Sequence, residues 1–470
     1  MTIDTGAPAL HRRLTTGQLS MIAIGGAIGT GLFLGSGFAI GLAGPAVLVS
    51  YIIGGTIALL LMGCLAEMTV AHPTSGAFGD LAEIYLGSLA GFLVRYAYWS
   101  AMVLAVGTEL TAVAIYMHFW LPSVPGWIWM LGFGIALMLV NAASVRLFGT
   151  IEYVFSAIKI VAILAFIALG TVILATAPAG SPVGFANYVH HGGFLPHGLG
   201  GLWTAVIVSI FSYLSIEAIA VAAGEAEDPK RSIVRAFRAT MLRLAIFYLA
   251  TLALMLAIVP WTEAGTAISP FVTVMLAIGV PGGAGILNAV ILIAALSAMN
   301  SQLYTATRML FSLARAGQAP SRLGHLSVQG VPLLALAVSG LGIAPATALY
   351  VWKPGSAFGA MIGISACGAM FAWMMIFVTH LAFRAKSGSR PGPFRMWGYP
   401  WTSLVGAVAM AAILLTTPFT GPFRTTLFYG VPFLAFLTAI HVCRSQWGKP
   451  VICLPRPASA PTASDMNRSV

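Results

Sequence analysis

Residues 25–37 read GGAIGTGLFLGSG, and six of these thirteen positions are glycine. They lie inside the first long apolar segment of the chain. A glycine inside a helix costs roughly 1 kcal/mol against alanine, and backbone amides that face lipid must find partners within the chain. Three readings compete. Glycines spaced four apart (Gly25 and Gly29, Gly31 and Gly35, Gly37 and Gly41) make the small-xxx-small pattern that lets helices touch. A nucleotide-binding loop is excluded, because the GxGxxG spacing fails after Gly29-Thr30-Gly31 and no strand pattern precedes it. The third reading is a helix interrupted at mid-membrane, whose freed amides and carbonyls line a cavity.

The surrounding composition is that of a membrane protein. Of 470 residues, 59% are hydrophobic and 7% charged, against about 25% charged in soluble domains. A spanning helix takes about 20 apolar residues. Twelve segments qualify, near 19–41, 45–69, 89–119, 126–144, 151–176, 199–225, 240–260, 283–311, 332–351, 357–383, 402–419 and 425–443. The first is too long for a signal peptide and is followed by no small-residue cleavage site. Cys64, Cys367, Cys443 and Cys453 show neither metal nor redox spacing and read as buried apolar residues.

The net charge of +11 invites a nucleic-acid partner, but its distribution argues against one. With the N-terminus inside, inner loops and ends collect 20 Lys and Arg, Arg95 and Arg308 among them. Outer loops hold only Lys353 and Arg424, and Lys159 is left within a span. This is the positive-inside pattern, so both termini are expected in the cytoplasm. Residues 1–18 read as a cytoplasmic arm, 19–384 as a ten-span core, 385–443 as two further helices, and 444–470 as a Pro/Ser/Ala-rich cytoplasmic tail expected to be disordered. Asp228 followed by Pro229 marks the start of a short cytoplasmic helix. His190, His191 and His197 fall in one outer loop without fixed helical spacing and read as surface residues, so no metal site is expected.

An ionisable group within a span points to function, since it must be paired or line a wet cavity. The candidates are Glu67, Glu109, Glu152, Lys159 and Glu217. Glu67, near the inner end of its span, reads as structural. Lys159 stands about two turns in from the inner end of span 5, where snorkelling and proton coupling are both open. Glu152, seven residues earlier, shares its face but is too far along the axis for a direct pair. Glu109 either lines a pocket or bonds to a neighbouring helix. Glu217 has no interface in reach, and the amides of a broken helix would serve it.

Transporters place discontinuous helices in matched positions of two inverted repeats, where half-helix N-termini receive a carboxylate and freed carbonyls a cation. If spans 1–5 and 6–10 are the repeats, span 6 needs the matching break. It offers FSYLSIE, residues 211–217, which contains no glycine. A zwitterionic ligand suits such a pair of breaks.

These and other blocks together carry a resemblance. IGGAIGTGLFLGSG, AEMTVAHPTSGAF, ELTAVAIYMHFW, VRLFGTIEYVFSAIKIVAI, GGFLPHG, AAGEAEDPKRSI, PWTEAGTAISPFV, LSAMNSQLYTATRMLFSLARAGQAP and GVP run in order from about residue 10 to 385. They resemble the bacterial amino-acid permeases of the amino acid–polyamine–organocation superfamily, in the branch that carries neutral amino acids (aromatic, proline, threonine/serine, alanine/glycine and GABA permeases). The resemblance implies an all-α membrane protein with twelve transmembrane helices. Its core would be a five-plus-five inverted repeat, LeuT-like, with helices 1 and 6 discontinuous and two C-terminal helices added.

It also implies roles. Thr30 and Gly31 would hold the substrate carboxylate; Ala27, Phe211 and Leu214 would offer carbonyls to the ammonium, with Phe211 closing over the substrate. Gly29, Ser212, Ser215 and Glu109 complete the expected binding set. Lys159 and Glu217 match the family's proton-coupling lysine and its span 6 glutamate. Ser215 departs from the pattern, which usually has glycine there. Ser297, Asn300 and Ser301 of span 8 are expected to face the core.

The sequence thus predicts a secondary active transporter that imports neutral α-amino acids by proton symport across a bacterial cytoplasmic (inner) membrane, with a proton-independent exchanger as the alternative. The expected partners are the amino acid and membrane lipid, with no obligate protein partner. No cofactor is expected beyond the coupling proton. An enzyme is not expected, because the spans carry no nucleophile–base pair or metal-ligand set.

Overall fold

The first apolar segment forms helix only in pieces. Gly25–Ala27 is helical, Ile28 and Gly29 bend, and helix resumes as α1 (Thr30–Phe33) and α2 (Gly35–Ala43). The computed structural model describes residues 17, 21, 25–72, 74, 76–178, 180–222, 229–265, 269–387 and 394–446, with backbone alone for 229–243, 387, 445 and 446. The expected N-terminal arm apart from Gly17, the tail beyond 446 and the loop bearing Asp228 lie outside the described residues.

From α2 the chain continues as α3 (Val47–Ala71), α4 (Ala77–Leu86), α5 (Ser88–His118), α6 (Gly126–Ala143) and α7 (Val145–Thr176). The second broken segment is α8 (Gly198–Ser212), a turn over 213–217, and α9 (Ala218–Ala222). Then come α10 (Pro229–Ile258), α11 (Trp261–Ala264), α12 (Pro270–Ala277) and α13 (Gly283–Arg315). The chain ends with α14 (Leu333–Gly340), α15 (Ile343–Trp352), α16 (Pro354–Ser387), α17 (Trp401–Thr416) and α18 (Thr425–Gln446). Among the described residues there is no strand, and nine helical stretches are long and apolar enough to cross a membrane. The protein is an all-helical, multi-pass membrane protein.

Several boundaries differ from expectation. Helix α10 runs unbroken from Pro229, so the short cytoplasmic helix and span 7 are one element; no Gly or Pro interrupts residues 230–258. Arg95 and Arg308, counted with the inner loops, lie inside α5 and α13 and are buried. Both lie within the apolar segments 89–119 and 283–311, close to their inner ends, so charge counted with the loops is interior charge. Arg95 is held by Asp80 at 2.6 Å and Glu83 at 2.7 Å, and the Arg308 guanidinium stacks 4.1 Å from the Tyr304 ring. Helices α4, α11 and α12 were not expected as separate elements.

Glu67 is structural. At the end of α3 it forms an ion pair with Arg384 Nε at 2.7 Å, faces His380 Nε2 at 3.0 Å and accepts the backbone N–H of Met396 at 2.8 Å. One buried carboxylate therefore ties α3 to α16 and to the segment that leads into α17. Desolvating such a group is tolerable only because every oxygen is engaged.

Helix α5 is almost wholly buried and packs along α13 and α16. Helix α8 lies against α2 and α3, and α7 against α13 and α10. The short α1 touches α8, α13 and α5, which puts both broken segments in the centre of the bundle. Helices α6, α7 and α18 turn apolar faces outward, with Ile135, Leu139, Val161 and Phe436 among their exposed side chains. Exposed apolar faces of this kind suit contact with lipid.

Candidate functional site

The two breaks lie against each other. A Cβ built on Gly31 would stand 2.6 Å from the Cα of Ser212, closer than side-chain carbons approach backbone. Glycine here is required by the near contact of two main chains. Ser212 Oγ donates to the Gly31 carbonyl at 2.8 Å, and Tyr51 OH meets Ser212 Oγ at 2.8 Å. Tyr248 OH lies 2.7 Å from the Ala27 carbonyl and 2.7 Å from that of Ser212, so one hydroxyl spans both breaks.

Freed amides find carboxylates. The N–H of Thr30, first residue of α1, donates to Glu109 Oε2 at 3.3 Å, and Gln302 Nε2 donates to the other oxygen at 3.3 Å. Glu109 is 2% exposed and sits on α5. An anion at the start of a half-helix is favoured by its unpaired N–H groups. At the second break, the N–H of Ser215 donates to Glu217 Oε1 at 3.3 Å, and Tyr98 OH donates to the same oxygen at 2.5 Å. Each break thus carries its own buried carboxylate.

Freed carbonyls find an ammonium. Lys159 Nζ donates to Gly25 O at 2.6 Å, to Ile28 O at 2.9 Å and to Ser297 Oγ at 2.8 Å. The side chain is fully buried and turned toward the first break, so it does not snorkel. Ser297 Oγ passes its own hydrogen to Glu152 Oε1, and Asn300 Nδ2 donates to Oε2 at 3.1 Å. Asn141 in turn donates to Asn300 Oδ1 at 2.8 Å. Gly25 is needed here too, since a Cβ would collide with Glu152 Oε1 and Ser156 Oγ.

Of the residues singled out in the sequence, Ala27, Gly29, Thr30, Gly31, Phe211, Ser212, Leu214, Ser215, Glu109, Lys159 and Glu217 all lie at the two breaks or bond to them. Two of the carbonyls expected to be open are occupied: that of Ala27 by Tyr248, and that of Phe211 by the N–H of Leu214 at 3.1 Å. Ser215 has φ +77, the left-handed region that favours glycine. The departure from glycine noted in the sequence therefore falls at the one residue of this turn that needs it. Ser297 and Asn300 reach the site from α13, as does Gln302. Tyr51, Tyr98 and Tyr248 were not singled out. Each reads in sequence as one more aromatic residue of an apolar span, and only the cross-span pairing distinguishes it.

Comparison with known proteins fits this geometry. The family model described as amino acid permease matches residues 18–445. The chain is 37% identical over 437 residues to the uncharacterized amino acid permease YtnA of Bacillus subtilis, covering 92% of this chain and 94% of that one. It is 37% identical to the gamma-aminobutyric acid permease of the same organism, over 89% of this chain and 90% of that one. With the aromatic amino acid transport protein AroP of Escherichia coli (strain K12) it shares 38% identity, over 87% and 91%. The matched stretch spans both breaks, and the chain belongs to the amino acid permease family of the amino acid–polyamine–organocation superfamily.

Proposed function

We propose that this permease is a secondary active transporter that imports neutral α-amino acids together with protons across a bacterial cytoplasmic membrane. In this reading twelve spans, with both termini cytoplasmic, form a five-plus-five inverted repeat followed by two helices. Alternating access is centred on the two breaks. The substrate carboxylate lies at the Thr30 hydroxyl and the Gly31 N–H, the Thr30 N–H being held by Glu109, and the ammonium at the Leu214 carbonyl, since those of Ala27 and Phe211 are occupied.

The observation that carries the reading is the charge of the buried set. Glu109, Glu152 and Glu217 are three carboxylates, each at most 2% exposed, and Lys159 is the one ammonium among them. Uncompensated charge in such surroundings costs several kcal/mol. The set calls for a further cation, and a coupling proton meets that need, while a zwitterion adds no net charge to it. Both oxygens of Glu109 are already engaged, which argues against its serving a cationic substrate side chain. Phe211 and Leu214 give the second break apolar walls.

A binding panel on the purified protein tests the substrate class. A ligand that binds only the folded state raises the unfolding temperature by mass action. Alanine, serine, threonine, proline or phenylalanine should do so, and lysine and glutamate should not. Protection by lysine alone would overturn the neutral class. Counterflow into preloaded vesicles that persists without any response to a proton gradient would replace symport by exchange.

A further inference from the structure

On the outer flank of α3, Ile52, Gly55, Thr56, Leu59, Met62 and Gly63 line a groove of about 560 Å³. They recur every three to four residues and so form one stripe along the helix. The small residues of the stripe let its walls come close: a Cβ on Gly55 would meet Tyr213 OH at 2.9 Å and one on Gly63 would meet Met396 Sδ, and Ala66 lines the groove beyond them. Ala245 and Leu249 of α10 form the far bank. A volume of this order is that of a ligand site, and an apolar groove open to the bilayer suits hydrocarbon.

The mouth is different in kind. Phe394, Arg395, Met396 and Trp397 stand over it, at the same end of the bundle as Arg384 and Lys386. Arg395 and Trp397 are exposed, and among the described residues Arg395 is the one charged side chain that lines the groove. The neighbouring carboxylate, Glu67, is already engaged by Arg384, His380 and the Met396 amide. An exposed tryptophan beside an arginine is the pattern of a membrane–water interface, and an exposed cation there attracts anionic headgroups.

We propose that this groove is a binding site for one anionic glycerophospholipid, its phosphate on Arg395 and an acyl chain along Ile52–Ala66. A free phosphate anion has no use for the apolar floor, and a zwitterionic lipid carries its own cation beside the phosphate and so gains less from the arginine. The deep wall of the groove is Tyr51 and Tyr213. Tyr51 OH holds Ser212 Oγ at 2.8 Å and approaches Gly31 O at 3.4 Å, while Tyr213 OH donates to Tyr51 O at 3.3 Å. The seated chain therefore packs on the two rings that fasten the breaks, and its presence bears on how readily they part.

Photolabelling of the full chain in phosphatidylcholine nanodiscs tests this without reference to transport. The probe is phosphatidylglycerol with a diazirine on its acyl chain. Label is expected on peptides covering 52–66 and 245–249, displaced by unlabelled phosphatidylglycerol and not by phosphatidylcholine. Arg395→Gln, an exposed change that leaves the fold intact, should lower labelling about fivefold, the worth of one interfacial arginine. Thr56→Trp, at an exposed position on the groove wall, should fill the groove and remove the label from these peptides while leaving it elsewhere. Equal competition by the two lipids, unchanged labelling of Arg395→Gln, or no label within the groove would overturn the proposal.

Discussion

Lys159 and Glu152 meet at one hydroxyl: Ser297 Oγ lies 2.8 Å from Lys159 Nζ and donates to Glu152 Oε1. Seven residues apart on α7, the two charged groups do not pair directly and are joined through α13. The first break is thereby clamped to span 8 as long as the ammonium is present. Loss of that charge would remove one of the three donors that hold Gly25 O, Ile28 O and Ser297 and weaken the other two, and the proposed coupling of a proton to movement of the broken helix rests on that change.

Lys159→Ala should abolish gradient-driven accumulation while weakening equilibrium substrate binding much less. It also leaves Glu152 without its bridged cation, a loss of about 3 kcal/mol or more if the carboxylate stays ionised. Pairing it with Glu152→Gln removes that penalty and should restore folding but not accumulation. Comparison of uptake with ligand-induced thermal shift separates the effects. Equal loss of both in the folded double variant would sink the coupling role.

Ser215→Gly should raise the unfolding temperature. A non-glycine residue at φ +77 costs about 1–3 kcal/mol, and glycine recovers most of it, less roughly 0.5–1 kcal/mol of added freedom in the unfolded chain. Ser215→Val, β-branched, should lower it. A less stable glycine variant would mean that the serine hydroxyl outweighs the strain.

Gly31 and Gly35 should behave oppositely, although they stand one turn apart. A Cβ at Gly31 meets Ser212 Cα at 2.6 Å, whereas at Gly35 the nearest atom is Thr30 O at 3.5 Å. Gly31→Ala should cost about 1–3 kcal/mol by overpacking and impair transport. Gly35→Ala should fold normally. Expression and melting of the two variants side by side decide it, and similar losses would contradict the close approach of the breaks.

Glu67→Ala should destabilise by about 3–5 kcal/mol, since it strands Arg384 and the Met396 amide in buried surroundings. Substrate preference should be unchanged, because Glu67 makes no bond to either break. Altered selectivity in a folded Glu67→Gln variant would place it nearer the substrate than its contacts indicate.

Much of this was legible along the chain. The break at Ile28–Gly29 announces itself because glycines accumulate where a helix must end and main chains must touch. The second break has no glycine, and it is found only by asking for a match five spans later. Glu109, Lys159 and Glu217 stand out because charge is rare in apolar segments. Their partners do not. Ser297 is 138 residues from Lys159, and Tyr98 is 119 from Glu217; serine and tyrosine in a span are unremarkable until the helices are packed. Arg95 and Arg308 were misplaced for a related reason: assigning basic residues near the inner end of a span to the loop ignores that a helix can carry a buried ion pair or a stacked guanidinium inside its apolar segment.

The most direct measurement is uptake of labelled alanine, serine, threonine, proline and phenylalanine into proteoliposomes, each under an imposed inward proton gradient, a sodium gradient, and neither. The account predicts accumulation of one or a few of them with the proton gradient alone, lost in Lys159→Ala. Accumulation driven only by sodium, or no accumulation of any neutral amino acid under either gradient, would contradict it.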